Sequence, residues 1–482
     1  MNSRMNRRPG LKLAAFVAAG LLAAGCAALR PAGEKDERQK AADEGRAYTE
    51  KATLPMLSVD STAGDYLQYA FLANADLQAR YWQWRSAIER IPQDTSFPNI
   101  AVPFSILFGG GSMKLWDRLT VGLANDPMTN IPHPAKLRTA GLRDLEDARA
   151  AGERFREAKF TLQGQVLSTY YDLALLSESI RIQEETIALL NLIARQASIG
   201  VSTGASGQQD LLKAQTEVQL AENSLRNLQS SVPGLTAKMN ALLGRGPLEP
   251  VPLPTALPAP RPLPVSDEKL IEVGSERSPQ LAALEKDIAG RSQALELAKE
   301  AYLPDFALSG SVSGAAGNLG GMIILPTRRE AIKAGVEQAQ ADLRAAGATR
   351  AQYERDLATS FVLNLYVLRN DERQVEFFEN TIIPRARETI QLTQSAYIAG
   401  RAKFLDLLDA ERTLLDARLV AAQLRMEREK ALSDIETWSA VDVETLAPGA
   451  VSFRAARLNG GSQTPSAMPA AAPAGGSGSG AM

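Results

Sequence analysis

Three aspartates sit in two similar settings: Asp210 in Gln208-Gln209-Asp210-Leu211-Leu212, and Asp406 with Asp409 in Leu405-Asp406-Leu407-Leu408-Asp409. Each set opens a helical pattern a few residues after a glycine, Gly204 or Gly400. An acid in the first turn of a helix interacts favourably with the helix dipole, and that alone accounts for an aspartate there. Asp406 and Asp409, however, are three apart and share one face. If three copies of this corner surround an axis, the carboxylates form a ring. Such a ring attracts cations, repels itself unless paired, and suits a gate.

Catalysis finds little support. His133, between Pro132 and Pro134, is the only histidine, and Cys26 is the only cysteine. A zinc site or a Ser-His-Asp triad needs more than these. Gly109-Gly110-Gly111 does not follow the strand–loop–helix spacing of a phosphate loop. The other carboxylates lie on helical patterns, where a solvated face is the ordinary explanation. No enzyme, cofactor or metal site is expected. The formal charge of −2 over 482 residues gives no basic stripe for nucleic acid.

The first 25 residues carry Arg4, Arg7, Arg8 and Lys12 and no acid. An apolar run from Leu11 to Ala24 follows, ending in Gly25-Cys26. This describes a secretory signal, and the run is too short for a spanning helix, which needs about 20 residues. Ala23-Ala24-Gly25-Cys26 is similar to a bacterial lipobox, with Ala23 where Leu is usual. An ordinary cleavage site with an incidental cysteine is the alternative. Ala27, rather than Asp, after the cysteine favours the outer membrane.

The elements that position the aspartates occur twice. Gly204 with Asp210-Leu211-Leu212 and Ala214 recurs 196 positions later as Gly400 with Asp406-Leu407-Leu408 and Ala410. Phe97-Pro98-Asn99-Ile100-Ala101 matches Leu303-Pro304-Asp305-Phe306-Ala307, and Ala140-Gly141 matches Ala334-Gly335. A repeat of this size is one structural unit used twice. Residues 1–25 are a signal and 26–62 a lipidated, polar tether. Repeat one (63–246) holds a first helix over Ala63–Ile91, a strand hairpin at 97–124 and a long helical hairpin at 137–243. A Pro-rich linker (247–266) runs over the surface. Repeat two (267–441) holds a helix, a strand hairpin at 304–326 and a helical hairpin at 328–439. The tail, 442–482, lacks the apolar content to fold.

In the hairpins, Ile100, Val102, Phe104, Ile106 and Phe108 share one face, as do Phe306, Leu308, Gly310 and Val312 opposite Ala307, Ser309, Ser311 and Ser313. Apolar on one side and small or polar on the other fits a strand between lipid and a wet lumen, or the edge of a sandwich. Leu162, Val166, Thr169, Leu173, Leu176, Ile180, Gln183, Ile187, Leu190 and Ala194 trace a coiled-coil seam. Pro384 should kink the second long helix. Leu407-Leu414-Ala421 and Leu408-Leu415-Ala422 form two adjacent stripes, which means two neighbours, as in a closed ring of helices.

Taken together, these residues resemble the TolC-like outer-membrane efflux proteins over roughly Tyr66 to Val441. The most specific segments are Tyr397-Ile398-Ala399-Gly400 through Asp409-Ala410, Tyr302-Leu303-Pro304-Asp305 and Ala241-Leu242-Leu243-Gly244. The resemblance implies an α+β, mainly α fold. Three protomers would build an outer-membrane β-barrel continued by a long periplasmic α-helical barrel, with two internal repeats per protomer. It implies a homotrimer in outer-membrane lipid, lipid-anchored at Cys26 and docked at its corners by a periplasmic adaptor and an inner-membrane transporter. It also implies that Asp406 and Asp409 narrow the periplasmic aperture and that Tyr397 bonds to Asp210 to hold it shut. The arginine often found two residues after the corner glycine is Ala402 here, flanked by Arg401 and Lys403. The segment from Asn125 through Pro132-His133-Pro134 to Lys136 is similar to the heavy-metal branch. A type I protein-secretion duct shares the implied fold, and a structural coiled-coil lipoprotein is a further alternative.

Overall fold

The computed structural model describes residues 29–49, 53–108, 118–125, 130–204, 207–263, 265–313 and 316–446. Cys26, the signal region and the Gly109-Gly110-Gly111 turn lie outside these residues. So does the tail beyond 446.

The chain is mainly helical and its elements repeat. In the first half, α1 (Glu34–Thr49), α2 (Ala63–Ala73) and α3 (Ala75–Thr95) precede β1 (Ile100–Ala101), β2 (Phe104–Ile106) and β3 (Leu119–Asn125). Then come α4 (Pro134–Ser202) and α5 (Gln208–Leu242). The second half runs α6 (Asp267–Arg277), α7 (Pro279–Glu300), β4 (Asp305–Ser313) and β5 (Ala316–Ile324). It continues with α8 (Arg329–Phe377), a π-helical turn (Phe378–Ile382), α9 (Ile383–Ile398) and α10 (Phe404–Ser439). Equivalent helices match closely in length: 11 and 11 residues for α2 and α6, 21 and 22 for α3 and α7, 35 and 36 for α5 and α10.

The 69 residues of α4 make it about 100 Å long. Its seam faces inward: Leu162, Val166, Thr169, Leu173 and Leu190 are buried. Beside the sheet, α4 packs between α3 and α7, and α8 packs on α7. Toward the corners, α4 packs between α5 and α10, and α8 and α9 pack on α10. Each tier is therefore built on four helices side by side, with α1, α2 and α6 packed against them. The two long helices run through both tiers, and the shorter ones stack end to end.

The sheet order is β1–β3–β4–β5 with β2 also on β3, all antiparallel. Ile100 pairs with Asn125 and Phe104 with Val121 in one unbroken register, so β1 and β2 form a single lane interrupted at Val102-Pro103. Proline has no N–H to give the ladder, although the Pro103 carbonyl still accepts from Gly122 N–H at 2.7 Å. β4 and β5 have nine residues each, the length that Pro304 and Pro326 leave room for. One face carries Phe104, Val121, Leu308, Val312, Leu319 and Ile323, all exposed. The other carries Ser105, Thr120, Ala124, Ser309, Ser311 and Asn318.

Four expectations are revised. The segment read as a polar tether contains the 16-residue helix α1. Two of its acids are not solvated: Glu34 and Glu37 are buried, Arg38 bonds Glu34 at 2.7 Å, and Trp84 Nε1 donates to Glu37 at 3.0 Å. Ala41 and Gly45 lie against α3 so closely that a side chain at Gly45 would collide with the Tyr81 hydroxyl. The helix expected over Ala63–Ile91 is broken at Asn74, which accepts from Leu77 N–H and donates to the Leu242 carbonyl, both at 2.9 Å. The kink expected at Pro384 is a π turn just before it, where Ile383 N–H reaches the Phe378 carbonyl. Pro384 sits in the first turn of α9, where its missing N–H is harmless. The boundary placed at 442 cuts through structure, since Val443 is buried in the core with Phe361 and Ile435, and Gln163 Nε2 donates to Asp442 at 2.9 Å.

The linker does more than cross the surface. Val251 is buried, and Arg261 is inserted between Glu429 and Glu436 of α10, 2.8 and 2.9 Å away.

Candidate functional site

The two corners are built alike. At the first, Thr203 caps α4 and Gly204 takes φ +75°, its N–H donating to the Val201 carbonyl at 3.2 Å. At the second, Gly400 takes φ +66°, its N–H donating to Tyr397, while Arg401 N–H reaches the Ala396 carbonyl at 2.8 Å. These left-handed angles are the reason both corners need glycine. A Cβ would meet no neighbour at either position, so the constraint is backbone geometry and not space.

The return helices then start with their acids in place. Asp210 is half-buried in the first turn of α5. Asp406 lies in the first turn of α10, and its Oδ2 accepts from Lys403 N–H at 3.0 Å. One of its oxygens thus caps its own helix. Asp409, one turn on, is exposed like Asp406.

The tips of the two hairpins are locked by an apolar cluster. Phe404, Leu407 and Leu408 of α10 are buried with Leu190, Ile193 and Ala197 of α4 and with Ala214 and Val218 of α5. Tyr397 packs against this cluster with its ring 5.9 Å from that of Phe404, at 61°. The structure therefore assembles Tyr397, Asp406 and Asp409 on one tip, fixed against the hairpin that carries Asp210. Arg412 of α10 pairs with Glu217 of α5, and Arg418 with Glu185 of α4 at 2.7 Å. These ion pairs extend the seam away from the corner.

Sequence reading missed two residues here, Phe404 and Glu411. Phe404, Glu411 and Arg418 form a seven-residue series beside the two stripes that were recognised, and this spacing was the available signal. Glu411 is 4% exposed.

His133 has a structural role. Its Nδ1 accepts from Ala135 N–H at 3.2 Å, capping the longest helix. Lys136 Nζ binds Asp305 of the other repeat at 2.8 Å, so the two repeats are tied together where helices meet sheet. Among the described residues, no group of three or more His, Cys, Asp or Glu side chains could hold a metal ion. Among them also, no helix is long and apolar enough to cross a membrane. Cys26 lies outside the described residues, which begin at Leu29. The Leu29 carbonyl and Pro31 lie beside Gly141, two turns into α4. From there α1 runs parallel to α4, with Lys159 reaching Glu44 at 2.9 Å.

No family profile matches the chain. It is 27% identical over 300 residues to the cobalt-zinc-cadmium resistance protein CzcC of Cupriavidus metallidurans, a match covering 56% of this chain and 67% of that one. It is 25% identical over 312 residues to the pyoverdine export outer membrane protein OpmQ of Pseudomonas putida, covering 61% of this chain and 64% of that one. In fold it is similar to the outer-membrane channel OprN, with a TM-score of 0.66 and 20% identity. That superposition covers 82% of this chain and 95% of the channel. In sequence the chain is similar to these two proteins, and it shares the fold of this outer-membrane channel.

Proposed function

We propose that this TolC-like chain is the outer-membrane channel of a tripartite efflux system. It passes substrates from an inner-membrane transporter and a periplasmic adaptor to the exterior. The observation that carries this reading is the sheet. One face is apolar and exposed, the other carries mostly small and polar residues, with Asp305, Met322 and Ile324 at its helix end, and the sheet continues directly into helices about 100 Å long. Nine residues extend about 30 Å, and at a tilt of about 40° they cover roughly 23 Å, close to the ~25 Å apolar band of an outer-membrane barrel.

A protomer alone leaves the β1–β2 lane and β5 as edges among the described residues. Lipid cannot satisfy open edges, so a spanning sheet must close. Three copies with four lanes and four helices each close both tiers. Detergent-extracted protein is accordingly expected to sediment as a trimer and to form channels in planar bilayers. A stable, monodisperse monomer that never conducts would refute the reading.

The anchor is consistent with this arrangement. Leu29 sits beside Gly141, about 10 Å along α4 from its start at the sheet. Three residues reach at most about 11 Å, which keeps a lipid on Cys26 near the membrane end of the molecule. Labelled palmitate should enter the wild type and not Cys26→Ser; equal labelling of both would rule the anchor out. In this reading Asp406 and Asp409 form the periplasmic constriction, Tyr397 and Asp210 latch it, and the adaptor docks at the corners.

A further inference from the structure

The gate as described leaves one nearby carboxylate without a role. Glu411 lies on α10, two residues beyond Asp409 and one turn beyond the buried Leu407 and Leu408. It points into the seam between the second hairpin and the first, where it is 4% exposed.

The charged groups around Glu411 can be named element by element. From α5 comes Glu217, bonded to Arg412. From its own helix come Arg412 and Asp416. α4 meets the seam with Leu190, Ile193 and Ala197; its Glu184 and Arg195 are exposed, and Glu185 is held by Arg418. α9 turns Ala386 and Ile390 inward and leaves Arg385, Arg387 and Glu388 exposed. Each arginine that reaches across this part of the seam is thus bonded to a different acid. An ionised Glu411 would be a buried charge beside another acid, whereas a protonated one fits as a small polar side chain.

We propose that Glu411 is a proton-operated latch between the two helical hairpins. Protonated, it lies in the seam and lets the tip of the second hairpin rest on the first. Ionised, it is driven toward water, the seam loosens, and the Asp406–Asp409 constriction widens. The inference rests on the channel reading and adds to it a regulation of the same gate.

Burial is the main cause that pushes the Glu411 carboxyl up, to about 7; Glu217 adds to it, Arg412 opposes it, and Asp416 adds a little more. An acid raised in the packed state keeps its proton there after an exposed one, with its ordinary value of 4.5, has lost it. The packed seam is therefore fully favoured below about pH 4.5 and loses ground as pH rises to about 7. Over that window the open-to-packed ratio rises by up to about tenfold per pH unit in each protomer. Above it there is no further change.

The test is single-channel conductance of the full-length protein between pH 5.5 and 8. Wild-type conductance or open probability should rise several-fold across this range, levelling off above about pH 7. Glu411→Gln, which has the same shape and never ionises, should stay at the low-pH level throughout. Glu217→Gln removes a neighbouring negative charge and should move the wild-type step to lower pH. A pH step retained in Glu411→Gln, or a flat wild-type profile in conducting channels, would overturn the latch. Absence of channels at any pH in either protein counts instead against the channel reading. Deuterium exchange over the first three turns of α10 then decides the latch alone. Protection should fall with pH in the wild type beyond the intrinsic rate change and should not do so in Glu411→Gln; equal behaviour overturns it.

Discussion

Arg261→Ala should destabilise the protein by about 3–5 kcal/mol, the range for removing one partner of a buried ion pair. The Arg261 backbone N–H donates to Glu429 Oε1 at 3.1 Å, and its Nε reaches Glu429 Oε2 at 2.8 Å. Nη1 meets both oxygens of Glu436, and Nη2 reaches Ser433 Oγ at 3.1 Å. The two glutamate side chains are 2% and 1% exposed. Without the guanidinium they remain buried: Glu429 keeps Arg428 and the backbone N–H of position 261, and Glu436 keeps the Val443 N–H but loses its guanidinium. Denaturant unfolding of the detergent-solubilised protein measures the loss. Adding Glu429→Gln and Glu436→Gln to the alanine variant should recover most of it, because the stranded charges cause the damage. A loss under about 1 kcal/mol in the single variant would mean that the linker is not strapped down by this residue.

Asp406→Ala combined with Asp409→Ala should abolish most of the cation preference of the channel, and with it any block by multivalent cations. The ring would lose six negative charges in a trimer, and such rings set the sign of a pore's selectivity. Because Asp406 also caps α10, the alanine version costs the helix start about 1 kcal/mol. Asp406→Asn with Asp409→Asn keeps an acceptor for Lys403 N–H and should give the same selectivity. Reversal potentials in a salt gradient provide the measurement. Unchanged selectivity and block in both versions would make these aspartates ordinary solvated residues at a helix start.

The corners were readable because a left-handed turn demands glycine, a demand that recurs at Gly204 and Gly400; the Leu-Leu pair that follows is buried at the second corner as Leu407 and Leu408, whereas at the first Leu211 is half-buried and Leu212 is exposed. The strand faces were readable from alternation, since Ser309 and Ser311 can only face away from Leu308 and Val312. Other features left weaker traces. α1 looked like a tether because Glu34 and Glu37 carry charge, and nothing local announces that Arg38 and Trp84, the latter 47 residues further on, will satisfy them. Asn74 breaks a helix without glycine or proline nearby, by an Asn side chain that caps the next one. Arg261 is one cation among eight prolines, and its two acids lie 168 and 175 residues away. The Arg38–Glu34 pair and the Asn74 cap are local, but the contacts to Trp84, Leu242, Glu429 and Glu436 are distant in sequence, and composition cannot report them.

The π turn at Phe378–Ile382 has a consequence for the phase of the second long helix. From its first helical residue to its corner glycine the first repeat runs Pro134 to Gly204, and the second Arg329 to Gly400, longer by a single residue. One residue rotates everything beyond it by about 100° in a continuous α-helix. A turn closed five residues apart takes up the surplus without breaking the rod. Above it, α8 meets α7 and then α10; below it, α9 stays on α10 and reaches a corner that copies the first. One rod thereby keeps its inward face on the same neighbour across the extra residue, an adjustment that the first hairpin does not need.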